Sequence, residues 1–122
     1  LGGSPETLLS LAPKSITAPV AMGVSEKIGG LPSLTAVMVV LTGVIGAVFG
    51  TWIFERMGVT DDGVRGVAMG VASHGIGTAR AFQVSEEMGA FSGLAMAISA
   101  GVTALVLPWM LQAVNWLSLF SR

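Results

Sequence analysis

Residues 73–80, Ser-His-Gly-Ile-Gly-Thr-Ala-Arg, carry the groups in this chain best suited to chemistry. They hold its one histidine, an arginine, two glycines and two hydroxyls. The imidazole of His74 can bind a solute, relay a proton or respond to pH. Its structural alternative is to satisfy a free carbonyl where a helix is interrupted. Arg80, Gln83 and Glu87 share a helical face by their i, i+3, i+7 spacing. Arg80 therefore either binds an anion, pairs with Glu87 or snorkels. Ser73 beside His74 is not a nucleophile–base pair by adjacency, because the two groups must meet in space and no orienting acid is evident. No enzyme chemistry, catalytic residue or cofactor is expected. A lone histidine without cysteine argues against a metal centre, and the dispersed methionines against a copper site.

The surroundings of this stretch decide how it is read. The 122 residues are 52% hydrophobic and 11% charged, where soluble domains average about 25% charged. No charge occurs from Ile28 to Phe54 or from Met88 to Ser121. Each run exceeds the roughly 20 residues that cross a bilayer as a helix. A polar, glycine-containing break inside apolar sequence leaves backbone groups free, and in lipid these must be buried in protein or line a wet cavity. The segment therefore reads as a solute or ion site on a broken helix. The net charge is −1 and no Lys/Arg block exists, which excludes a nucleic-acid partner on electrostatic grounds. The absence of cysteine excludes disulfide and thiol redox chemistry. The chain begins at Leu1 with no basic, apolar leader, as a fragment or processed chain would.

The elements that must position the site follow in order. Ser4, Pro5 and Glu6 are a helix start. Pro13-Lys14-Ser15 breaks the first short apolar piece, and a second runs from about Ile16 to Ile28. Gly29-Gly30-Leu31-Pro32 is a turn, and Ser33 to Phe54 is the first full span. Gly46 and Gly50 make a packing face on it. Trp52, Phe54, Glu55 and Arg56 suit a membrane interface. A short helix from Gly63 to Ala72 carries Gly66 and Gly70 on one face, and the break at 73–80 follows. Gly89, Gly93, Ala97 and Gly101 then form a stripe of small residues along the last span, a helix-packing seam. Pro108 kinks or ends that span. Trp109, Trp116 and Arg122 suit its tilted continuation or an interfacial segment.

The chain repeats itself at an offset of 60. Val-Ser-Glu-Lys-Ile-Gly at 24–29 matches Val-Ser-Glu-Glu-Met-Gly at 84–89. Ile16, Ala21 and Leu34 match Ile76, Ala81 and Leu94. Lys14-Ser15 falls on His74-Gly75, so the two breaks coincide. Glu26 and Glu86 also match, as interface caps rather than proton carriers. Each copy, about 4–57 and 63–120, is a broken or re-entrant helix followed by a full transmembrane helix. The fold class is therefore all-α, a polytopic membrane protein of two tandem repeats in a single membrane domain. Paired interruptions point to a transport site near the midplane, and helix N-termini there favour an anion. Lys14, Ser15, Thr17, Ser73, His74, Gly75, Gly77, Thr78 and Arg80 would bind a small anionic solute such as a carboxylate. If both breaks cross the membrane, the copies are parallel; if both are re-entrant, the copies are inverted.

Three blocks, PKSITAPVAMGVSEKIGG (13–30), SLTAVMVVLTGVIGAVFG (33–50) and ASHGIGTARAFQVSEEMGAFSGLAM (72–96), resemble the LrgB/CidB-type antiholin-like membrane proteins, or murein-hydrolase-export regulators. The likeness covers most of the chain and fits the C-terminal half of such a protein. It implies a multi-pass protein of the bacterial cytoplasmic (inner) membrane, working with a smaller holin-like partner of the LrgA/CidA type. Such proteins are described as modulating murein hydrolases, autolysis and programmed cell death. The resemblance also implies transport, since plant chloroplast relatives carry glycolate and glycerate and some bacterial members are linked to pyruvate uptake. Two functions follow as expectations: a transporter or channel-like protein for a small carboxylate, or a non-transporting regulator that binds holin-like subunits through its glycine seams. Assembly as a homo-oligomer is expected for either. A soluble four-helix bundle is the third reading, and it requires a chain monodisperse without detergent.

Overall fold

The computed structural model describes residues 3–120, and the side chains of residues 3–114. Trp116's side chain and all of Arg122 lie outside the described residues. The chain is all helical within these bounds: α1 (Pro5–Leu11), α2 (Ala18–Ile28), α3 (Pro32–Met57), α4 (Asp62–Val84) and α5 (Glu86–Phe120). Local chemistry sets most of the ends. Ser4 caps α1 through Thr7 N–H, and Asp61 caps α4 through Val64 N–H at 2.8 Å; each takes up an orphan donor of a first turn. Gly29 (φ 86°) and Gly58 (φ 69°) end α2 and α3 in the left-handed conformation, which costs glycine nothing. Ser85 Oγ accepts from Met88 N–H at the start of α5. That helix continues past Pro108 to Phe120.

Two helices, Pro32–Met57 and Glu86–Val114, are long and apolar enough to cross a membrane, and only 17% of each apolar window is buried. A core helix of a soluble protein would be mostly covered. These helices instead expose Val37, Val44, Val48, Leu94, Ile98 and Leu105. Burying such faces in lipid removes the hydration cost they would carry in water. Arg56 lies over the Trp52 ring at 5.6 Å, at the end of α3, as an interfacial aromatic–cation pair does.

The course of α4 determines the architecture. His74 is the one non-glycine residue with positive φ among those described, at φ 42° and ψ −135°, inside α4. A straight helix of 23 residues would hold its ends roughly 33 Å apart, at about 1.5 Å per residue. Yet Ser85 Oγ, just past the end of α4, donates to Asp62 Oδ2, at its start, over 2.6 Å. The helix must therefore double back at His74. The buried Met69 on the outgoing arm and Ala81 on the returning arm accordingly share one cluster with Met88.

Packing partners run in step along these arms. Against α5, Gly66 meets Met88, Gly70 meets Ser92, and Gly75 lies near Met96. Against α3 the order reverses: Met69 meets Gly50, Ser73 meets Gly46, and His74 meets Gly43. The spans α3 and α5 are thus antiparallel, with the outgoing arm of α4 touching both. Helix α2 also packs on both spans, whereas no Cα of α2 approaches α4 within 8 Å, nor any of α3 approaches α5, among the described residues. The four elements form a ring.

A buried polar knot joins α1, α2 and α3 at the start of α3. Leu31 N–H donates to Ser10 Oγ (2.7 Å), and Thr35 Oγ1 lies 2.7 Å from Ser25 Oγ and 2.9 Å from the Ser10 carbonyl. All three side chains are fully buried. A Cβ at Gly30 would stand 2.5 Å from Ser25 Oγ and 2.9 Å from Ser10 N, so this turn needs a glycine. Thr35→Val keeps the shape of the side chain but strands Ser25 Oγ. The variant is expected to lose about 1–3 kcal/mol, the cost of an unpaired buried polar group, read as a lower midpoint in detergent melts.

Candidate functional site

The tip of the α4 hairpin is built from polar residues that the apolar elements hold in place. His74 is 4% exposed. Its Nε2 lies 2.8 Å from the carbonyl oxygen of Val39 on α3. Thr78 Oγ1 donates to the His74 carbonyl at 2.8 Å and lies 2.8 Å from Ser92 Oγ on α5. The unusual backbone at His74 is therefore held on three sides: by its ring on α3, by its carbonyl on the returning arm, and through Thr78 by α5. Such over-determination is what keeps a residue in a sparsely populated conformation. The close approach of α3 depends on glycine. A Cβ at Gly43 would lie 2.7 Å from His74 Cε1, and one at Gly46 2.7 Å from Ser73 Cβ.

The first interruption, residues 12–17, is tied to the same part of α3 through a buried cluster. Ile16 is 3% exposed and belongs to the same buried cluster as Val39, Ala21, Val24 and Ala100. Val39 thus contributes its side chain to the cluster that takes in the α1–α2 tip, and its carbonyl to His74. Pro13 is buried in the same segment. Lys14 is exposed, with Nζ donating to Ser15 Oγ at 3.3 Å. Ser15 and Thr17 are half-buried, and Thr17 precedes α2 without a side-chain cap bond.

The remaining site residues are distributed as follows. Ser73, Gly77 and Thr78 are buried with His74, Gly75 is exposed, and Arg80 is half-buried with Nη1 donating to Gln83 Oε1 at 3.0 Å. Of the small residues, Gly46, Gly50, Gly66, Gly70 and Gly89 stand where an added Cβ would collide with a neighbour. At Gly93 the nearest atom, Thr78 Cγ2, is 3.9 Å away, Ala97 is exposed, and nothing lies within 4 Å at Gly101. The buried residues of α5 among those described are Met88, Gly89, Ser92, Ala95 and Ala100.

Sequence reasoning passed over Val39, Gly43, Thr35, Ser10, Ser25 and Ser92. A backbone carbonyl such as that of Val39 leaves no mark in residue type. Gly43 does carry a signal, because with Gly46 and Gly50 it extends one glycine stripe over two helical turns. Ser92 falls inside the Gly89–Gly101 segment, where a polar residue among small ones marks an interhelical hydrogen bond.

A helix that doubles back at a buried histidine, beside two exposed helices long and apolar enough to cross a membrane, fits a helical membrane protein. Comparison with known families gives the particular one: residues 1–113 match the LrgB-like family, and the chain belongs to it. It is similar to the uncharacterized protein YwbG of Bacillus subtilis, at 41% identity over 84% of this chain and 46% of that protein. It is also similar to an uncharacterized protein of Haemophilus influenzae (32% identity, 93% of this chain, 49% of that protein) and to holin-like protein CidB of Staphylococcus epidermidis (36%, 88% and 47%). The chain spans about half the length of the curated relatives it matches. No solved structure matches it.

Proposed function

We propose that the chain is the core of a transporter for a small carboxylate of the glycolate, glycerate or pyruvate class, seated in the bacterial cytoplasmic membrane. The observation that carries this reading is that Ile16 of the first interruption shares a buried cluster with Val39 of α3, whose carbonyl also meets His74. The α1–α2 tip reaches the Val39 cluster from the starting end of α3, and the α4 tip reaches the Val39 carbonyl from the other end. Two re-entrant segments entering from opposite faces, each followed by a span running the opposite way, form an inverted repeat. Contacts near the 60-residue offset support the duplication. Ser10 packs on Leu31 and Thr35, and Gly70, sixty residues on, packs on Ser92 and Met96, each one residue beyond the matching position.

Both returning arms, α2 and 75–84, point their N-terminal ends at the tips. Their unpaired N–H groups and partial positive charge favour an anion, and Lys14 and Arg80 add charge nearby. The test is uptake of radiolabelled glycolate, glycerate and pyruvate into proteoliposomes. Saturable uptake is expected, reduced at least tenfold by Arg80→Ala and by His74→Ala. Uptake equal to that of empty vesicles would sink the transport reading.

The name holin-like borne by the CidB relatives supports a second reading, regulation of murein hydrolase export and lysis with a small holin-like partner. The exposed small residues Ala97 and Gly101 offer a surface for it. On this reading Ala97→Leu and Gly101→Leu abolish co-purification with that partner while the solute assay shows nothing.

A further inference from the structure

The hydrogen bond between His74 and Val39 restricts what the imidazole can offer a ligand. A carbonyl oxygen only accepts, so Nε2 carries a hydrogen and donates it. In the neutral ring Nδ1 is then a bare acceptor. Nδ1 has no hydrogen-bond partner among the described residues. An ionised carboxylate is also acceptor-only, so it cannot bond to the neutral ring. It can bond to an imidazolium, whose Nδ1–H is a donor.

Among the described residues, the groups around the tip supply no counter-charge. Helix α3 has no charged residue from Pro32 to Phe54, and α5 none from Met88 to Phe120. On α4, Arg80 is engaged with Gln83, while Arg65 pairs with Asp62 at the base of the hairpin. On the α1–α2 side, Lys14 bonds to Ser15, and Glu26 and Lys27 sit in the last turn of α2, away from the tip. A buried imidazolium without a partner is costly. A carboxylate ligand supplies the anion it needs.

We infer that His74 is a proton-linked anion ligand: Nε2 stays on the Val39 carbonyl while Nδ1 takes up one proton together with one small carboxylate. The inference rests on the carboxylate reading above and adds the coupling ion. Proton and anion raise each other's affinity by the same factor. The loaded site is neutral with respect to the empty one, so net movement of the pair carries no charge across the membrane. The proton comes from solvent on the loading side and leaves Nδ1 when the anion does.

The chain has one histidine, so ring-labelled ¹⁵N-histidine reads His74 alone. The protein in detergent micelles is followed by NMR from about pH 6 to 9, where a carboxylate of ordinary acidity stays ionised, with glycolate binding measured in parallel by equilibrium dialysis. The expected result is an Nε2–H neutral ring in the anion-free protein at alkaline pH, converted to imidazolium by saturating glycolate. Apparent Kd rises about tenfold per pH unit once the free ring is neutral, the slope for one linked proton. His74→Gln keeps a donor for Val39 and lacks a titrating nitrogen, so its residual binding is flat with pH. Glycolate binding with the ring still neutral, an Nδ1–H tautomer in the free protein, or unchanged pH dependence in His74→Gln overturns this inference and leaves the carboxylate reading standing. Absence of glycolate, glycerate and pyruvate binding overturns both.

Discussion

Gly70→Ala is expected to destabilise the protein by about 1–2 kcal/mol, and Gly70→Val to prevent its folding. The added Cβ would press into the backbone of α5, overlapping the Ser92 carbonyl oxygen and standing 2.9 Å from its carbon and 3.0 Å from Met96 N. None of these atoms can swing aside as a side-chain end can. The hairpin and α5 must separate, and overpacking of this kind costs roughly 1–3 kcal/mol or more. Intrinsic helix propensity acts the other way, favouring Ala over Gly by about 1 kcal/mol. The sign of the change therefore tells which effect dominates. Gly101→Ala is the matched control, since nothing lies within 4 Å of its Cβ; it is expected to leave stability unchanged or raise it slightly. Thermal melts followed by circular dichroism in one detergent make the comparison. A Gly70→Ala midpoint at or above the wild type would show that the α4–α5 seam is not closed as described.

His74→Gly is expected to be more stable than His74→Ala, by about 1–2 kcal/mol. Within a regular helix the order is the reverse, with Ala better than Gly by about 1 kcal/mol. The inversion comes from the backbone at residue 74, with φ 42° and ψ −135°. That region is open to glycine and costs a residue with a Cβ on the order of 1–3 kcal/mol. Both variants lose the imidazole bond to the Val39 carbonyl and the packing of the ring against α3, so both fall below the wild type. Their difference isolates the backbone term. Equal stabilities, or Ala above Gly, would mean that the chain passes residue 74 as an ordinary helix. In that case Ser85 and Asp62 could not meet.

The pattern of elements was largely legible in the residues, because it follows from local chemistry. Charge-free apolar runs mark α3 and α5. Gly29 and Gly58 mark helix ends, since only glycine adopts their conformation without cost. Ser4 marks a helix start through its cap. The ordering of small residues was only partly legible. Gly66 and Gly70 lie against α5, whereas Ala97 and Gly101, which continue the periodic stripe of Gly89 and Gly93, are exposed. Periodicity places residues on one face of a helix but does not say which neighbour that face meets.

Composition, the two apolar runs and the polar, glycine-bearing interruption were enough by themselves to require helices in a bilayer and to place the disruption at 73–80. Each of these depends on what a residue does within its own few turns of chain. Tertiary structure alone decided that α4 returns to the face it came from, which makes the two spans antiparallel. It alone decided that Ile16 and Val39 share one buried cluster, and that His74 spends one nitrogen on a carbonyl 35 residues away. The physical reason is that a single residue's φ and ψ select between a straight rod and a hairpin. At His74 that choice is fixed by partners on α3 and α5, which local sequence does not specify.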